Sequence, residues 1–147
     1  MAHRFSIVLI HLIFSTKNRV DSIPGELQPR LWAYLVGIGR NHEITIRAVG
    51  GTSNHVHLLI ELPADVTVAK AVQVLKANSS RWMGEHGIDF QWQEGYGAFS
   101  VSSSQSGIVK NYIDRQPQHH AKKSYEDEFL AMLQNVDAAY EQECVFG

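Results

Sequence analysis

The sequence predicts an α+β fold of the ferredoxin-like type, in which a βαββαβ antiparallel sheet is followed by a C-terminal pair of helices. Two observations support this class. Runs rich in β-branched and aromatic residues alternate with segments whose apolar residues recur at helical spacing. Two of the strand-like runs are joined by a short turn and therefore form a hairpin. With 147 residues, 44% of them hydrophobic, we expect a single domain over 1–147, with a core of about 4–118 and an acidic helix and tail over 124–147.

The first half of the chain supplies a strand, a helix and a hairpin. Residues 4–16 are rich in Ile, Leu and Phe and predict a long strand. Residues 24–42 carry Leu, Tyr and Ile at helical spacing, and Pro29 is tolerated because it falls in the first turn. Residues 43–50 then alternate as a strand, and the turn residues "GTSN" lead back into a strand that begins at His55.

A second helix and a further pair of strands complete the predicted sheet. Apolar residues at helical spacing predict a helix over 66–85, with Thr67 as a candidate N-cap. The stretches "IDFQWQ" (88–93) and "YGAFSVS" (96–102) are each predicted to be short strands.

Two helices are predicted after the sheet. The first covers about 105–116, where Pro117 should stop or kink it. The second begins at Ser124, which with Asp127 forms a capping-box-like start.

The charge is unevenly distributed along the chain. The net charge is −2, but residues 124–147 hold six of the 15 acids and none of the 13 Lys and Arg residues, so the first 123 residues are mildly basic. Such a body is compatible with a nucleic-acid partner. The single Cys144 excludes an internal disulfide framework and a cysteine zinc site. The longest apolar run, residues 7–14, is too short to span a bilayer, so we expect a cytoplasmic protein with no membrane partner.

His55 and His57 lie two apart on a predicted strand and therefore project from the same face. Neutral imidazoles in this arrangement can share one divalent ion. Two ligands do not complete a site, and ordinary hydrogen-bonded histidines are the alternative. Glu61 shares the face but lies roughly 13 Å from His57 by strand rise, so a third ligand is expected from elsewhere.

The helix over 105–116 places Tyr112 and Gln116 four residues apart on one face. A phenol is a poor nucleophile at neutral pH unless a metal or a base assists it. The alternative is that Tyr112 is a core aromatic and Gln116 a solvated side chain. His119 and His120 are adjacent and point apart on a helix, so we expect a surface role for them.

Four stretches together, "HLIFSTKNR", "GTSNHVHLLIELP", "GYGAFSVSSSQ" and "VKNYIDRQPQHHAKKSYEDEFLAML", resemble the HUH single-tyrosine transposases from about His11 to Leu133. The family includes enzymes that move bacterial insertion sequences as single-stranded DNA, and relatives associated with repetitive extragenic palindromes. The resemblance implies that His55 and His57 bind Mg²⁺ or Mn²⁺, that Gln116 completes the metal shell, and that Tyr112 is the nucleophile. It also implies a 5′-phosphotyrosine intermediate, single-stranded DNA with a hairpin as substrate, and a homodimer.

Basic side chains near the predicted site are candidate phosphate contacts, with solvated surface charge as the alternative for each. Two rival functions remain at this stage, a catalytically silent nucleic-acid hairpin-binding protein of the same fold and a metal-binding domain unconnected with nucleic acid. The candidate DNA contacts are Lys17, Arg19, Lys70, Lys76, Arg81, Lys110, Arg115, Lys122 and Lys123.

Overall fold

The computed structural model describes residues 6–120 and 123–135 of the chain. Lys122, Cys144 and the part of the acidic tail beyond 135 lie outside the described residues. Within them, four strands form one antiparallel sheet in the order β2-β3-β1-β4. The strands are β1 Leu9–Ser15, β2 Thr45–Gly51, β3 His55–Glu61 and β4 Gly97–Val101.

The helices follow the predicted order, so that the chain up to β4 runs βαββαβ. The α+β, ferredoxin-like prediction is confirmed. The helices are α1 Gln28–Asn41, α2 Val68–Glu85, α3 Ser106–Asp114, α4 Gln116–His120 and α5 Tyr125–Asn135.

The two faces of the sheet carry different helices. Alternate residues of the central strands, such as Phe14 and Leu58, join the main core with α1 and α2. On the opposite face Leu59 packs against Ile113 of α3, and Ile13 packs against α5. The strand alternation sends His55 and His57 to this second face, which α3, α4 and α5 cover.

Capping side chains begin two helices where the sequence predicts them. The hydroxyl of Thr67 accepts a hydrogen bond from the Lys70 backbone N–H at 3.1 Å, and the Ser124 hydroxyl accepts one from the Asp127 N–H at 3.1 Å. Each bond satisfies a first-turn donor that has no partner within its helix.

Two predicted elements differ in the structure. Residues 88–93 form no strand, and Trp92 makes only an isolated bridge to Thr16. Its side chain is held instead by the core, because the indole N–H donates to Ser79 Oγ at 2.9 Å and the ring packs edge-on against Phe14. Side-chain burial therefore takes precedence over strand pairing in this segment.

The helix predicted over 105–116 is interrupted at Arg115, which has φ −104° and ψ 18°. Pro117 lacks an N–H, and its ring would clash with the carbonyl of Ile113 in a continuous helix. A new helix, α4, starts at Gln116 with Pro117 in its first turn. The break lets the chain change direction immediately after Tyr112.

Among the described residues, no helix is both long and apolar enough to cross a membrane.

Candidate active site

The centre of the site is a layer of histidines on the sheet. His55 and His57 of β3 are fully buried. Strand β1 adds His11, whose Nε2 lies 2.7 Å from His57 Nδ1. A bond at this position fixes the orientation of the His57 ring and turns its other nitrogen, Nε2, towards the helices.

Helix α5 supplies the carboxylate that faces these histidines. Glu128 is 2% exposed, and its Oε1 lies 2.9 Å from His57 Nε2. The same oxygen lies 3.1 Å from His120 Nε2, while Oε2 lies 3.3 Å from His119 Nε2. The Tyr112 hydroxyl donates a hydrogen bond to Oε2. A single buried carboxylate therefore links the histidine layer to the tyrosine.

Gln116 is fully buried at the other end of the histidine layer. His55 Nδ1 lies 2.8 Å from Asn54 Oδ1, and His55 Nε2 lies 3.0 Å from Gln116 Oε1. When the Nδ1 proton is donated to Asn54, a lone pair on Nε2 faces the amide oxygen of Gln116. Two facing acceptors are a favourable arrangement for a cation between them.

The side chains fit a divalent metal ion. Ligand atoms of His55, His57, His120 and Glu128 all lie within 4.8 Å of one another. His120 Nε2 is buried, lies 3.1 Å from Glu128 Oε1 and makes no hydrogen bond within the described residues. A buried nitrogen without a hydrogen-bond partner is unfavourable unless another group, such as a metal ion, binds it.

The electrostatics keep His11, His55 and His57 neutral, and metal ligation requires neutral imidazoles. Burial, followed by the neighbouring His57, lowers the pKa of both His11 and His55 to about 3. Burial also lowers the pKa of His57. Burial alone would raise the pKa of the Glu128 carboxyl, but the adjacent His120 and His57 outweigh it and hold this pKa well below its usual range. Burial, with Glu128 beside it, raises the pKa of the Tyr112 phenol, which is therefore protonated in the metal-free protein.

Comparison with known proteins gives this arrangement a family. Residues 5–116 match the family model described as "Transposase IS200 like". The chain belongs to the IS200-like transposase family. The match covers more than half of the chain, and it ends before His119, His120 and Glu128, so part of the cluster lies beyond the matched region.

Solved structures of transposases share the fold of this IS200-like chain. One is a candidate transposase from Deinococcus radiodurans R1, with a TM-score of 0.64, 22% identity, and coverage of 79% of this chain and 95% of that one. Another is a REP-associated tyrosine transposase bound to a REP hairpin, with a TM-score of 0.61, 16% identity, and coverage of 82% and 74%. A search of curated proteins found no significant match.

The structure brings together four residues that the resemblance assigns to the active site of the family: His55, His57, Tyr112 and Gln116. The expectation of a surface role for His119 and His120 is wrong for His120, whose side chain is 9% exposed and belongs to the cluster. The reason is that α4 starts a new helix after Arg115, which turns His120 towards the sheet.

Sequence reasoning missed Glu128 and His11. Tyr125, Glu128 and Phe129 lie at i, i+3 and i+4 and are all buried on one face of α5. An acid within the apolar stripe of an amphipathic helix is the signal that could have identified Glu128. For His11 the signal was the alternation of side chains along β1. This places His11 opposite Leu59 of β3, on the face of the sheet that α3 covers.

The predicted phosphate contacts have different surroundings. The Lys76 ammonium donates to the carbonyls of Gln93, Glu94 and Gly95 at 2.5–3.1 Å. These bonds use its three donors, so the structure gives Lys76 a role in holding this loop, where the sequence predicted a DNA contact. Burial lowers the pKa of this amine to about 8.

Several other candidate contacts pair with neighbours at the surface. Arg19 lies 3.4 Å from Glu126, Lys110 lies 2.9 Å from Asp114, and Arg81 donates to Asn78 at 2.9 Å. Exposed pairs of this kind are weak and can be exchanged for a phosphate. The exposed members of the candidate set are Lys17, Lys70, Arg81, Lys110, Arg115 and Lys123.

Proposed function

We propose that the protein is a metal-dependent DNA strand transferase that cleaves and rejoins single-stranded DNA at hairpin-marked ends through a 5′-phosphotyrosine intermediate. The observation that carries the proposal is the shared carboxylate. The Tyr112 hydroxyl and His57 Nε2 both bond Glu128, so a candidate nucleophile lies one carboxylate away from a candidate metal site. Membership of a transposase family is consistent with this chemistry.

In the proposed reaction Tyr112 Oη attacks the phosphorus of a phosphodiester. A bond forms between the phenolic oxygen and phosphorus, and the bond from phosphorus to the 3′-oxygen breaks, which leaves a free 3′-hydroxyl. Glu128 Oε2 already accepts the phenolic hydrogen bond and orients the hydroxyl. His119 Nε2 lies 3.4 Å from the phenolic oxygen and is positioned to take the proton, while the departing 3′-oxygen takes a proton from water. One phosphodiester replaces another, so the step is reversible and needs no ATP.

His55, His57 and Gln116 are the residues proposed to hold the metal, and we add His120 and Glu128 to that set. A bound divalent ion supplies Lewis-acid stabilisation of the charge that develops on the phosphate oxygens. His11 acts through His57: when His11 Nε2 accepts a hydrogen bond from the Nδ1–H of His57, the lone pair on His57 Nε2 faces the ion.

The donor set favours Mn²⁺ over Mg²⁺. Mg²⁺ prefers oxygen ligands in an octahedral arrangement, whereas imidazole nitrogens suit transition metals better. Three of the four clustered residues are histidines. We therefore propose Mn²⁺ as the more strongly bound of the two ions.

The proposed substrate is DNA with a hairpin beside the cleavage position. The REP-associated relative is bound to a REP hairpin, and the exposed Lys17, Lys70, Arg81 and Lys110 remain candidate phosphate contacts here. A homodimer stays a prediction.

Metal binding tests the proposal by a measurement that does not require catalysis. We expect protein stripped with EDTA to bind Mn²⁺ more tightly than Mg²⁺ in calorimetry, and His120→Ala to weaken Mn²⁺ binding by roughly tenfold or more. His42→Ala is the matched control, because His42 only caps the end of α1 through a bond to Ile38 O.

The same preparations are then assayed for cleavage of single-stranded DNA from the regions that flank the gene. Cleavage should vanish in EDTA and return with Mn²⁺. Cleavage that persists in EDTA would contradict the metal-dependent reaction, and hairpin binding without any cleavage would favour the catalytically silent alternative.

A further inference from the structure

A cleft of about 840 Å³ opens beside Tyr112. Its size falls within the range of about 300–1,000 Å³ that is usual for ligand sites. Besides Tyr112, its walls include Ile108, Asn111, Arg115, Gln118 and Lys123. The metal cluster itself is buried, whereas this cleft is open and lies next to the candidate nucleophile.

One side of α3 packs on the sheet, and another side lines the cleft. Val109 and Ile113 pack towards the sheet. Ile108, Asn111 and Arg115 lie at i, i+3 and i+7 and form a second stripe that lines the cleft. Ile108 is 64% exposed. No contact within the described residues explains why this apolar side chain is exposed.

Taken together, the side chains that line the cleft match one kind of ligand. Arg115 and Lys123 are cationic, Asn111 and Gln118 carry amides, and Ile108 is apolar; among the described residues that line the cleft there is no carboxylate. A phosphate needs the cations, the edge of a base needs paired donors and acceptors, and the face of a base needs an apolar or aromatic surface. A nucleotide has all three requirements.

We propose that this cleft binds one nucleotide of the DNA strand, next to the phosphate that Tyr112 attacks. The base lies against Ile108, its edge meets the amides of Asn111 and Gln118, and its phosphate meets Arg115 and Lys123. This inference rests on the proposed function and deepens it, because it gives the enzyme a pocket that reads a base at the cleavage position.

The amides suit the edge of a base in general. An Asn or Gln side chain presents one donor and one acceptor side by side, and the exposed edges of adenine, cytosine and thymine in a single strand each offer a complementary pair. A strand that carries bases is therefore bound more tightly than a sugar-phosphate strand of the same length without them.

Binding of short homopolymers in EDTA tests the inference without cleavage and without a cognate sequence. The probes are fluorescent 12-mers of dA, dT and dC and a 12-mer of abasic sugar-phosphate, measured by anisotropy at fixed salt. The variants are Ile108→Ser, the double change Asn111→Ala with Gln118→Ala, and Arg115→Gln. Ile7→Ser is the matched control, because Ile7 is 61% exposed and does not line the cleft.

Each variant has its own expected result. Wild-type protein should bind dA, dT and dC more tightly than the abasic strand. Ile108→Ser should weaken binding of the base-bearing strands by about fivefold while leaving the abasic strand unchanged. The double amide variant should also weaken binding of the base-bearing strands and leave the abasic strand unchanged, and Arg115→Gln should weaken all four probes alike. Ile7→Ser should behave as wild type.

Other results would overturn the inference. Ile108→Ser that binds every probe as wild type does, or that weakens the abasic strand as much as the others, would show that no base occupies the cleft. Failure of the wild type to bind any DNA probe would do the same. Failure of the proposed function has a separate signature, the absence of a tyrosine adduct when metal is supplied, and it leaves this binding pattern intact.

Discussion

At the residue scale, Glu128 determines how the site is arranged. It bonds Tyr112 and His57 and lies within 3.1–3.3 Å of His119 and His120. A buried carboxylate without such partners would be strongly unfavourable. Removing a partner therefore affects stability as well as chemistry, since His57→Ala would leave Glu128 with one bond fewer in a buried environment.

The buried histidines predict that the metal-free protein loses stability in acid. The pKa values of His11 and His55 fall from 6.5 to about 3 on folding. Between these values the unfolded chain binds protons that the folded chain does not, so stability is fully present above about pH 6.5 and decreases as pH falls towards 3. Each histidine contributes a slope of up to about 1.4 kcal/mol per pH unit. Urea unfolding in EDTA at several pH values between 5 and 7 measures this slope of the unfolding free energy against pH.

His11→Gln is the informative variant for this prediction, because the new amide can still form a hydrogen bond with His57 Nδ1 but does not titrate. We expect it to reduce the slope, whereas His42→Gln should leave the slope unchanged. Equal slopes in wild type and His11→Gln would show that His11 does not carry the effect.

At the element scale, the close approach of α3 to β2 fixes the position of Tyr112. Gly50 lies under α3, and a Cβ built on it would be 2.4 Å from Ile113 O. The backbone of the helix rests directly on the strand there, one residue away from Tyr112. Glycine is required at this position because no side chain fits between the two elements.

Gly50→Ala should push α3 outward and destabilise the protein by about 1–3 kcal/mol. Gly37→Ala is the control: a Cβ there meets nothing within 4 Å, and alanine in a helix is favourable by up to about 1 kcal/mol. Urea unfolding of both variants gives the comparison. If the two changes had equal effects, the close contact would not be what positions the helix.

Much of the secondary structure could be predicted from the sequence. Apolar spacing identified α1 and α2, capping residues located the starts of α2 and α5, and Pro117 indicated the end of α3. The strand predicted over 88–93 was wrong. Phe90 and Trp92 are residue types common in strands, but here their side chains pack on the core. His120 and Glu128 were not identified, because their placement depends on where α4 and α5 dock after a helix break, which local pattern does not encode.

At the scale of the whole molecule, one chain contributes every described member of the site. Strands β1 and β3 supply His11, His55 and His57, while the helices supply Tyr112, Gln116 and Glu128. In the homodimer that the resemblance implies, the tyrosine helix of one subunit could instead complete the histidine site of the other. With both halves already in contact within one chain, we predict a site completed in cis, whether or not the protein dimerises.

Mixing inactive variants tests this arrangement. His57→Ala and Tyr112→Phe chains carrying different tags are co-expressed, the mixed species is purified through both tags, and cleavage is assayed. A site in cis predicts no recovery, since each chain lacks one of its own groups. If no mixed species forms, the protein is a monomer and the cis site follows directly. Recovery of cleavage in a mixed dimer would mean that the tyrosine helix acts on the neighbouring subunit.

The central claim is that Tyr112 becomes covalently attached to DNA. The protein is incubated with Mn²⁺ and labelled single-stranded DNA from the regions that flank the gene, the mixture is denatured, and the protein is digested for mass spectrometry. We predict an adduct on the peptide containing Tyr112, its absence in Tyr112→Phe with hairpin binding retained, and its presence in Tyr125→Phe. An adduct on Tyr125 or Tyr96, or cleavage that yields a free 5′-phosphate and no adduct, would contradict the account.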